Sequence, residues 1–185
     1  FANCIISNNT VTYDGGGVFF DGADTSVSLE SCTLESNNAG WGGALRSIGG
    51  TLNISKCKIS KNGANGRRPY GLGEGSGLCL GSGGNKSINI ISDTEITSNE
   101  GNGNGAGLYF VGPSDSSLTL LGTMKIEGNK KSGSSSNFHI DKDKVIKLND
   151  EKGNKLNANS KIGVITSETP PIKFAEKGDE TMDNC

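Results

Sequence analysis

One short phrase occurs five times along this chain: a small or sulfur-bearing side chain, any residue, Ile or Leu, two more residues, then Asn. It reads Cys4-Ile5-Ile6-Ser7-Asn8-Asn9, Cys32-Thr33-Leu34-Glu35-Ser36-Asn37 and Cys57-Lys58-Ile59-Ser60-Lys61-Asn62. Two variants follow, Thr94-Glu95-Ile96-Thr97-Ser98-Asn99 and Met124-Lys125-Ile126-Glu127-Gly128-Asn129. A Gly-rich phrase keeps step with it: Gly15-Gly16-Gly17-Val18, Gly42-Gly43-Ala44-Leu45, Gly75-Ser76-Gly77-Leu78 and Gly105-Ala106-Gly107-Leu108. The Asn-to-Asn steps are 28, 25, 37 and 30 residues, a period that belongs to solenoids.

A third alternation completes each repeat: Val27-Ser28-Leu29, Leu52-Asn53-Ile54, Ile88-Asn89-Ile90 and Leu118-Thr119-Leu120. In all three phrases the apolar residues sit two apart, the periodicity of strands. No repeat holds enough 3.6-fold periodicity for a helix, so helical repeat folds drop out. Three short strands per repeat, separated by Gly, Asn and Ser turns, predict an all-β, right-handed parallel β-helix of about five to six coils; the hand follows the rule for parallel crossovers. Stacking then makes three inward apolar columns: Ile6, Leu34, Ile59, Ile96 and Ile126; Val18, Leu45, Leu78, Leu108 and Phe138; and Leu29, Ile54, Ile90 and Leu120. Asn9, Asn37, Asn62, Asn99 and Asn129 form a ladder, because Asn tolerates a left-handed corner and its amide bonds the same amide one coil away. Outside, Lys58, Glu95 and Lys125 become neighbours of alternating sign.

Composition narrows the function classes. Gly makes up 29 of the 185 residues but Pro only 4, which fits ordered turns and not a disordered tract. A net charge of −2 gives no electrostatic case for nucleic acid or an anionic membrane. No run of 18 apolar residues exists to span a bilayer as a helix.

The pairing of Gly42-Gly43-Ala44-Leu45 with Leu34-Glu35-Ser36-Asn37, and its looser echoes, resembles the repeats of the polymorphic outer-membrane protein family, with Ile or Leu where that family usually has Phe. Asn137-Phe138-His139-Ile140, Lys144-Val145-Ile146-Lys147-Leu148 and Ile162-Gly163-Val164-Ile165-Thr166 resemble the closing coils of repeat-rich bacterial surface proteins. The resemblance covers about residues 1–165. It implies a secreted or surface-exposed bacterial protein, often an adhesin or passenger domain, and carries no catalytic residues across.

Residues 1–175 read as one domain, with clear repeats over 1–140, degenerate coils or a cap over 141–175, and a polar tail over 176–185. The first phrase stands without a polar cap before Cys4, so the chain is expected to be part of a longer protein. Cys4, Cys32 and Cys57 share one repeat position and stack in one inward column as free, buried core thiols. Cys79 follows Leu78 and points outward by alternation, and Cys185 stands alone in the tail. An odd count without a pairing pattern is a poor disulfide framework. With no Cys-x-x-Cys and His139 distant, no zinc site is expected; nor is any other metal or cofactor.

An enzyme of the polysaccharide lyase or hydrolase kind needs clustered carboxylates. The outward acids Glu35, Glu95 and Glu127 are instead interleaved with Ser60, Thr97 and lysines. Asp141-Lys142-Asp143 and Asp150-Glu151 lack calcium-repeat spacing and read as surface turns. Mixed outward columns exclude the flat Thr array of an ice binder. Asn8-Asn9-Thr10, Asn53-Ile54-Ser55 and Asn85-Lys86-Ser87 match the glycosylation pattern, a match frequent by chance in such a sequence. The longest step carries the insertion Gly63-Ala64-Asn65-Gly66-Arg67-Arg68-Pro69-Tyr70-Gly71, beside the sole Trp of the preceding coil. Trp41, Arg67, Arg68 and Tyr70 are therefore the candidate binding residues, suited to stacking on a sugar ring or gripping an acidic group. A second outward column, Phe19, Arg46, Cys79, Tyr109 and His139, is either a contact face or the seat of a covering loop. The expected function is non-catalytic: an extracellular or cell-surface adhesin or spacer for host glycans or surface proteins, monomeric or joined end to end through uncapped coils. A carbohydrate-active enzyme and a purely structural coat or filament component are the alternatives.

Overall fold

The computed structural model describes residues 1–66, 73–141, 144–166, 175–177 and 180–181. These form strands and turns with no helix, so no helix long and apolar enough to cross a membrane occurs among them. The first repeat supplies β1 (Ile5–Ser7), β2 (Val18–Phe20) and β3 (Ser26–Glu30). The second supplies β4 (Thr33–Glu35), β5 (Asn38–Ala39), β6 (Leu45–Ser47) and β7 (Gly50–Ser55). The third has β8 (Lys58–Ser60), β9 (Gly63–Ala64), β10 (Leu78–Leu80) and β11 (Ser87–Ser92), and the fourth β12 (Glu95–Thr97), β13 (Glu100–Gly101), β14 (Leu108–Phe110) and β15 (Ser117–Leu121). Then come β16 (Lys125–Glu127), β17 (Lys130–Lys131), β18 (Ser134–Ser135), β19 (Phe138–Ile140), β20 (Ile146–Lys147), β21 (Lys161–Ile162), β22 (Val164–Thr166), β23 (Ala175–Lys177) and β24 (Glu180–Thr181).

Strands from successive repeats lie side by side. One sheet runs β1-β4-β8-β12-β16-β21, a second β2-β6-β10-β14-β19-β22, and a third β3-β7-β11-β15-β20-β23-β24. Among the described strands all pairings are parallel except two hairpins, β17 with β18 and β23 with β24; an isolated antiparallel bridge also joins Asn149 and Lys155. A fourth sheet, β5-β9-β13-β17-β18, follows the Asn of each phrase. Three strands per repeat were expected; the fourth is two residues long, too short to show any alternation in sequence.

Two apolar columns have the expected register. Ile6, Leu34, Ile59, Ile96 and Ile126 are successive partners, extended by Ile162. Val18, Leu45, Leu78, Leu108 and Phe138 are likewise aligned, and Val164 follows. The third column corrects the sequence reading: Leu29, Ile54, Ile91 and Leu120 align, not Ile90. The corner ahead of the next phrase sets this phase. Five residues separate Leu29 from Leu34, Ile54 from Ile59 and Ile91 from Ile96, so Ile90 would leave that turn one residue too long. Ile88 therefore faces solvent, 39% exposed, and Asn89 is fully buried between Leu52 and Leu118.

The Asn corner is a continuous hydrogen-bonded chain. Asn9 Nδ2 donates to Asn37 Oδ1 at 2.9 Å, Asn37 Nδ2 to Asn62 Oδ1 at 3.1 Å, and Asn62 Nδ2 to Asn99 Oδ1 at 2.9 Å. Asn99 Nδ2 donates to Asn129 Oδ1 at 2.9 Å, and Asn129 Nδ2 to Asn137 Oδ1 at 3.2 Å, a rung the sequence phrase did not mark. Each rung's backbone N–H donates to the same acceptor oxygen. The left-handed residue is not the ladder Asn, as expected, but the one before it: Asn8, Ser36, Lys61, Ser98 and Gly128 have φ of 56–67°. The short turn thus aims the following amide inward, where it meets its neighbours. Gly42, Gly75 and Gly105 hold a second left-handed column, φ 56–62°, which favours Gly because it has no Cβ to clash.

Cys4, Cys32 and Cys57 are free thiols, the last two buried. Their column also carries hydrogen bonds: Cys32 N–H donates to Cys57 Sγ at 3.3 Å, and Cys57 N–H to Thr94 Oγ1 at 3.2 Å. On the outer face Lys58, Glu95 and Lys125 are register neighbours, and Lys61 pairs with Glu35 at 2.8 Å.

Candidate binding groove

The second sheet positions the site. In each of its strands the flanking residues point into the core, so the middle ones line up outside: Phe19, Arg46, Cys79, Tyr109 and His139 are successive partners. Phe19 is 46% exposed, but the column sinks beneath cover along its length. Cys79 was expected on the surface and is instead fully buried. Alternation turns it away from Leu78 and Leu80 as anticipated, but the turn after β10 folds back over it. Residues 81 and 82 donate backbone N–H groups to Ser47 O, and Ser82 bonds the thiol. Burial pushes that thiol up to about 11, against the lowering effects of the Arg46 charge and the Ser82 bond. It is thus a neutral floor at physiological pH and a poor nucleophile.

Arg46 is held on three sides. Its Nη1 pairs with Asp14, its Nε donates to Ser82 Oγ at 2.9 Å, and its guanidinium lies 5.1 Å from the centroid of the Trp41 ring. Such a cation over an indole face is attracted by the ring quadrupole. Next along, Tyr109 stacks on His139 with ring centroids 5.3 Å apart and planes 21° from parallel. Burial raises the Tyr109 hydroxyl, helped by the charges of Asp141 and Glu74. Burial lowers His139 despite Asp141, so its ring is neutral at neutral pH. Burial likewise raises the Glu74 carboxyl, while the Asn104 N–H that it accepts and the Lys131 charge oppose this. Lys131 Nζ is itself anchored, donating to Asn104 Oδ1 at 2.7 Å.

Between these groups lies a groove of about 460 Å³, walled by Trp41, Arg46, Glu74, Ser82 and Tyr109 with Cys79 at its base. A second hollow of about 450 Å³, lined by Val11, Tyr13, Asn38, Gly40 and Asn65, adjoins it, and Trp41 lines both. Trp41 thus borders both hollows; the group the structure brings against its ring is Arg46, and Tyr109 lines the first hollow with it. Arg67, Arg68 and Tyr70 lie outside the described residues, as do Cys185, Lys142 and Asp143. Glu74 and Ser82 were missed. Neither belongs to a repeated phrase, and Ser82 sits in a Gly-rich turn whose path over the sheet leaves no pattern in sequence.

An aromatic wall, a clamped guanidinium and one carboxylate can stack on and hydrogen-bond a polar ring. Glu74 is the one carboxylate among the groove's described lining residues, and no described group of three or more His, Cys, Asp or Glu is placed to hold a metal. Asp150, read from sequence as an acid in a surface turn, accepts bonds from Asn154 Nδ2 at 2.6 Å and from the N–H groups of Asn154 and Lys152, closing its own turn. Comparison of the chain with family models, with curated proteins and with solved structures returned no match.

Proposed function

We propose that the sheets close into a right-handed parallel β-helix of five to six coils, and that this is a non-catalytic domain of a bacterial surface or secreted protein acting as an adhesin or spacer without a cofactor. The preformed groove beside Trp41 carries the reading. Its polar groups are fixed by their own bonds before any ligand arrives, so little ordering cost falls on binding. The ligand class that fits is a glycan, whose ring faces stack on indole and phenol while its hydroxyls meet Arg46, Glu74 and Tyr109. The raised Glu74 carboxyl favours a second reading, a carbohydrate-active enzyme, though hydrolysis by paired carboxylates asks for two such groups.

One assay separates these. Trp41 is the only tryptophan, so its fluorescence reports on the groove directly. Titration with a polysaccharide panel, scored also for cleavage, should give a saturable spectral change, and Tyr109→Ala should weaken binding at least about tenfold. Cleavage that Glu74→Gln abolishes would transfer the assignment to an enzyme. No spectral change and no retention would leave a spacer without a sugar site.

A further inference from the structure

One contact beside the groove has a chemistry that sugar binding does not use. Lys131 Nζ donates to Asn104 Oδ1 at 2.7 Å, and the Asn104 N–H donates to Glu74 Oε2. The three residues come from three successive repeats: Glu74 precedes β10, Asn104 follows β13, and Lys131 ends β17. All three are half-buried.

The main chain fixes each of them. Gly42 N–H donates to Glu74 O at 3.1 Å, Gly75 N–H to Asn104 O at 3.1 Å, and Ser132 N–H to Gly101 O at 2.9 Å. Gly101 and Lys131 are register partners. Gly103 leaves room for the carboxylate, because a Cβ there would stand 2.6 Å from Glu74 Oε2.

An amine, a carboxamide and a carboxyl group so placed are the reactants of a transamidation. A carbonyl bond is about 1.2 Å long, so Lys131 Nζ lies no more than about 3.9 Å from Asn104 Cγ. That is close to the separation of a near-attack pair. Two obstacles stand in the way, and one group meets both. An ammonium cannot attack, but Glu74 lies within electrostatic reach of Lys131 and can take its proton. An amide anion cannot leave, but the same carboxyl can deliver that proton to Asn104 Nδ2. Burial favours the protonated Glu74 that holds the proton between the two transfers.

We propose that Lys131 and Asn104 join in an intramolecular isopeptide bond, with Glu74 as the proton carrier. Lys131 passes one proton to Glu74, and the electron pair released on Nζ attacks Asn104 Cγ. The Nζ–Cγ bond forms and the carbonyl opens to a tetrahedral centre. Glu74 then gives its proton to Nδ2 and takes a second one from Nζ. The Cγ–Nδ2 bond breaks and ammonia leaves. The products are a secondary amide, a neutral Glu74 and ammonia, with no oxidant and no second reactant. The reaction runs once per chain. It ties the fourth repeat to the fifth and constrains the unfolded chain as a disulfide would.

Intact mass and peptide mapping of the full chain test this. After folding and incubation the parent should weigh one ammonia less than its sequence, and a branched peptide should join residues 104 and 131. Lys131→Arg keeps a charged donor for Asn104 but not the nucleophile, and should retain the full mass. Glu74→Gln cannot carry the proton and should retain it too. Both should melt several degrees below the crosslinked parent. A parent of full mass overturns the proposal. So does a succinimide at Asn104-Gly105, which releases the same ammonia but gives linear peptides and survives Lys131→Arg. A branched peptide that persists in Glu74→Gln overturns it as well. The parent's own map decides the bond whether or not the variants fold, and neither readout involves sugar binding.

Discussion

Asn62 and Asn89 are equally hidden from solvent and belong to the same repeat, yet their surroundings are opposite. Asn62 sits at the ladder corner. Its Oδ1 accepts from Asn37 N and Nδ2, and its Nδ2 reaches Asn99 Oδ1, Leu34 O and Ser60 O, all within 3.1 Å. Asn89 sits in the third sheet between Leu52 and Leu118. Its Nδ2 donates to Ser87 Oγ and Ser117 O, both at 3.1 Å, but its Oδ1 is buried without a partner. Burial of an amide is therefore not a stabilising feature in itself. It stabilises where the neighbouring repeats supply the matching donors and acceptors, and costs about 1–3 kcal/mol where they do not.

The sharpest way to break this comparison is Asn62→Ala. It leaves the Asn37 N–H without its acceptor and removes the Nδ2 bonds to Leu34 O and Asn99 Oδ1, although the residue 62 N–H still reaches Asn99 Oδ1, so denaturant unfolding should show a loss of about 2–4 kcal/mol. A loss below about 1 kcal/mol would mean that the ladder is incidental. The Cys corner sharpens it, because there the acceptor changes from sulfur at Cys57 to oxygen at Thr94 while the bond pattern stays. Cys57→Thr should therefore keep an acceptor for the Cys32 N–H and stay within about 1 kcal/mol of the parent. Cys57→Val, similar in shape to Thr but without the acceptor, should lose about 1–2 kcal/mol more; equal losses in the same titration would show packing alone to matter. The smallest expected effect has the opposite sign. Asn89→Leu removes the orphaned oxygen and joins Leu52 and Leu118, and should raise stability by about 1 kcal/mol. A clear drop in melting temperature would show that the two Nδ2 bonds outweigh the orphan.

How far the chain could be read depended on how each phrase was anchored. The Ile6 and Val18 columns were legible because an Asn or a Gly turn pins each one at close range. The third was misphased because Ile90 and Ile91 are adjacent and the stretch before them varies in length. The deciding signal, five residues from that column to the next, was present, but Leu120 to Ile126 spans six. The extra residue is taken up around Gly122 at φ 60°, where Asp93 Oδ1 accepts the Thr123 N–H at 2.8 Å. The groove was legible only through Trp41 and an outward column whose cover was left open. Cys79 is buried by a turn made mostly of glycine, and Glu74 acts through Asn104, thirty residues on. Neither leaves a side-chain pattern. Asn137 escaped because a hairpin, not an Ile-x-x-Asn phrase, delivers it to the ladder.

The one-way sense of the Asn chain has an electrical consequence. Five side-chain carbonyls, from Asn37 to Asn137, take their donors from the preceding rung, so their amide dipoles add instead of cancelling, as peptide dipoles do along a helix. Each bond polarises the next in the low-dielectric interior. The described rungs thus form a narrow internal axis of charge separation whose negative pole lies on the Asn9 side. A carboxylate brought to that pole is repelled, and an ammonium or amide N–H is drawn in.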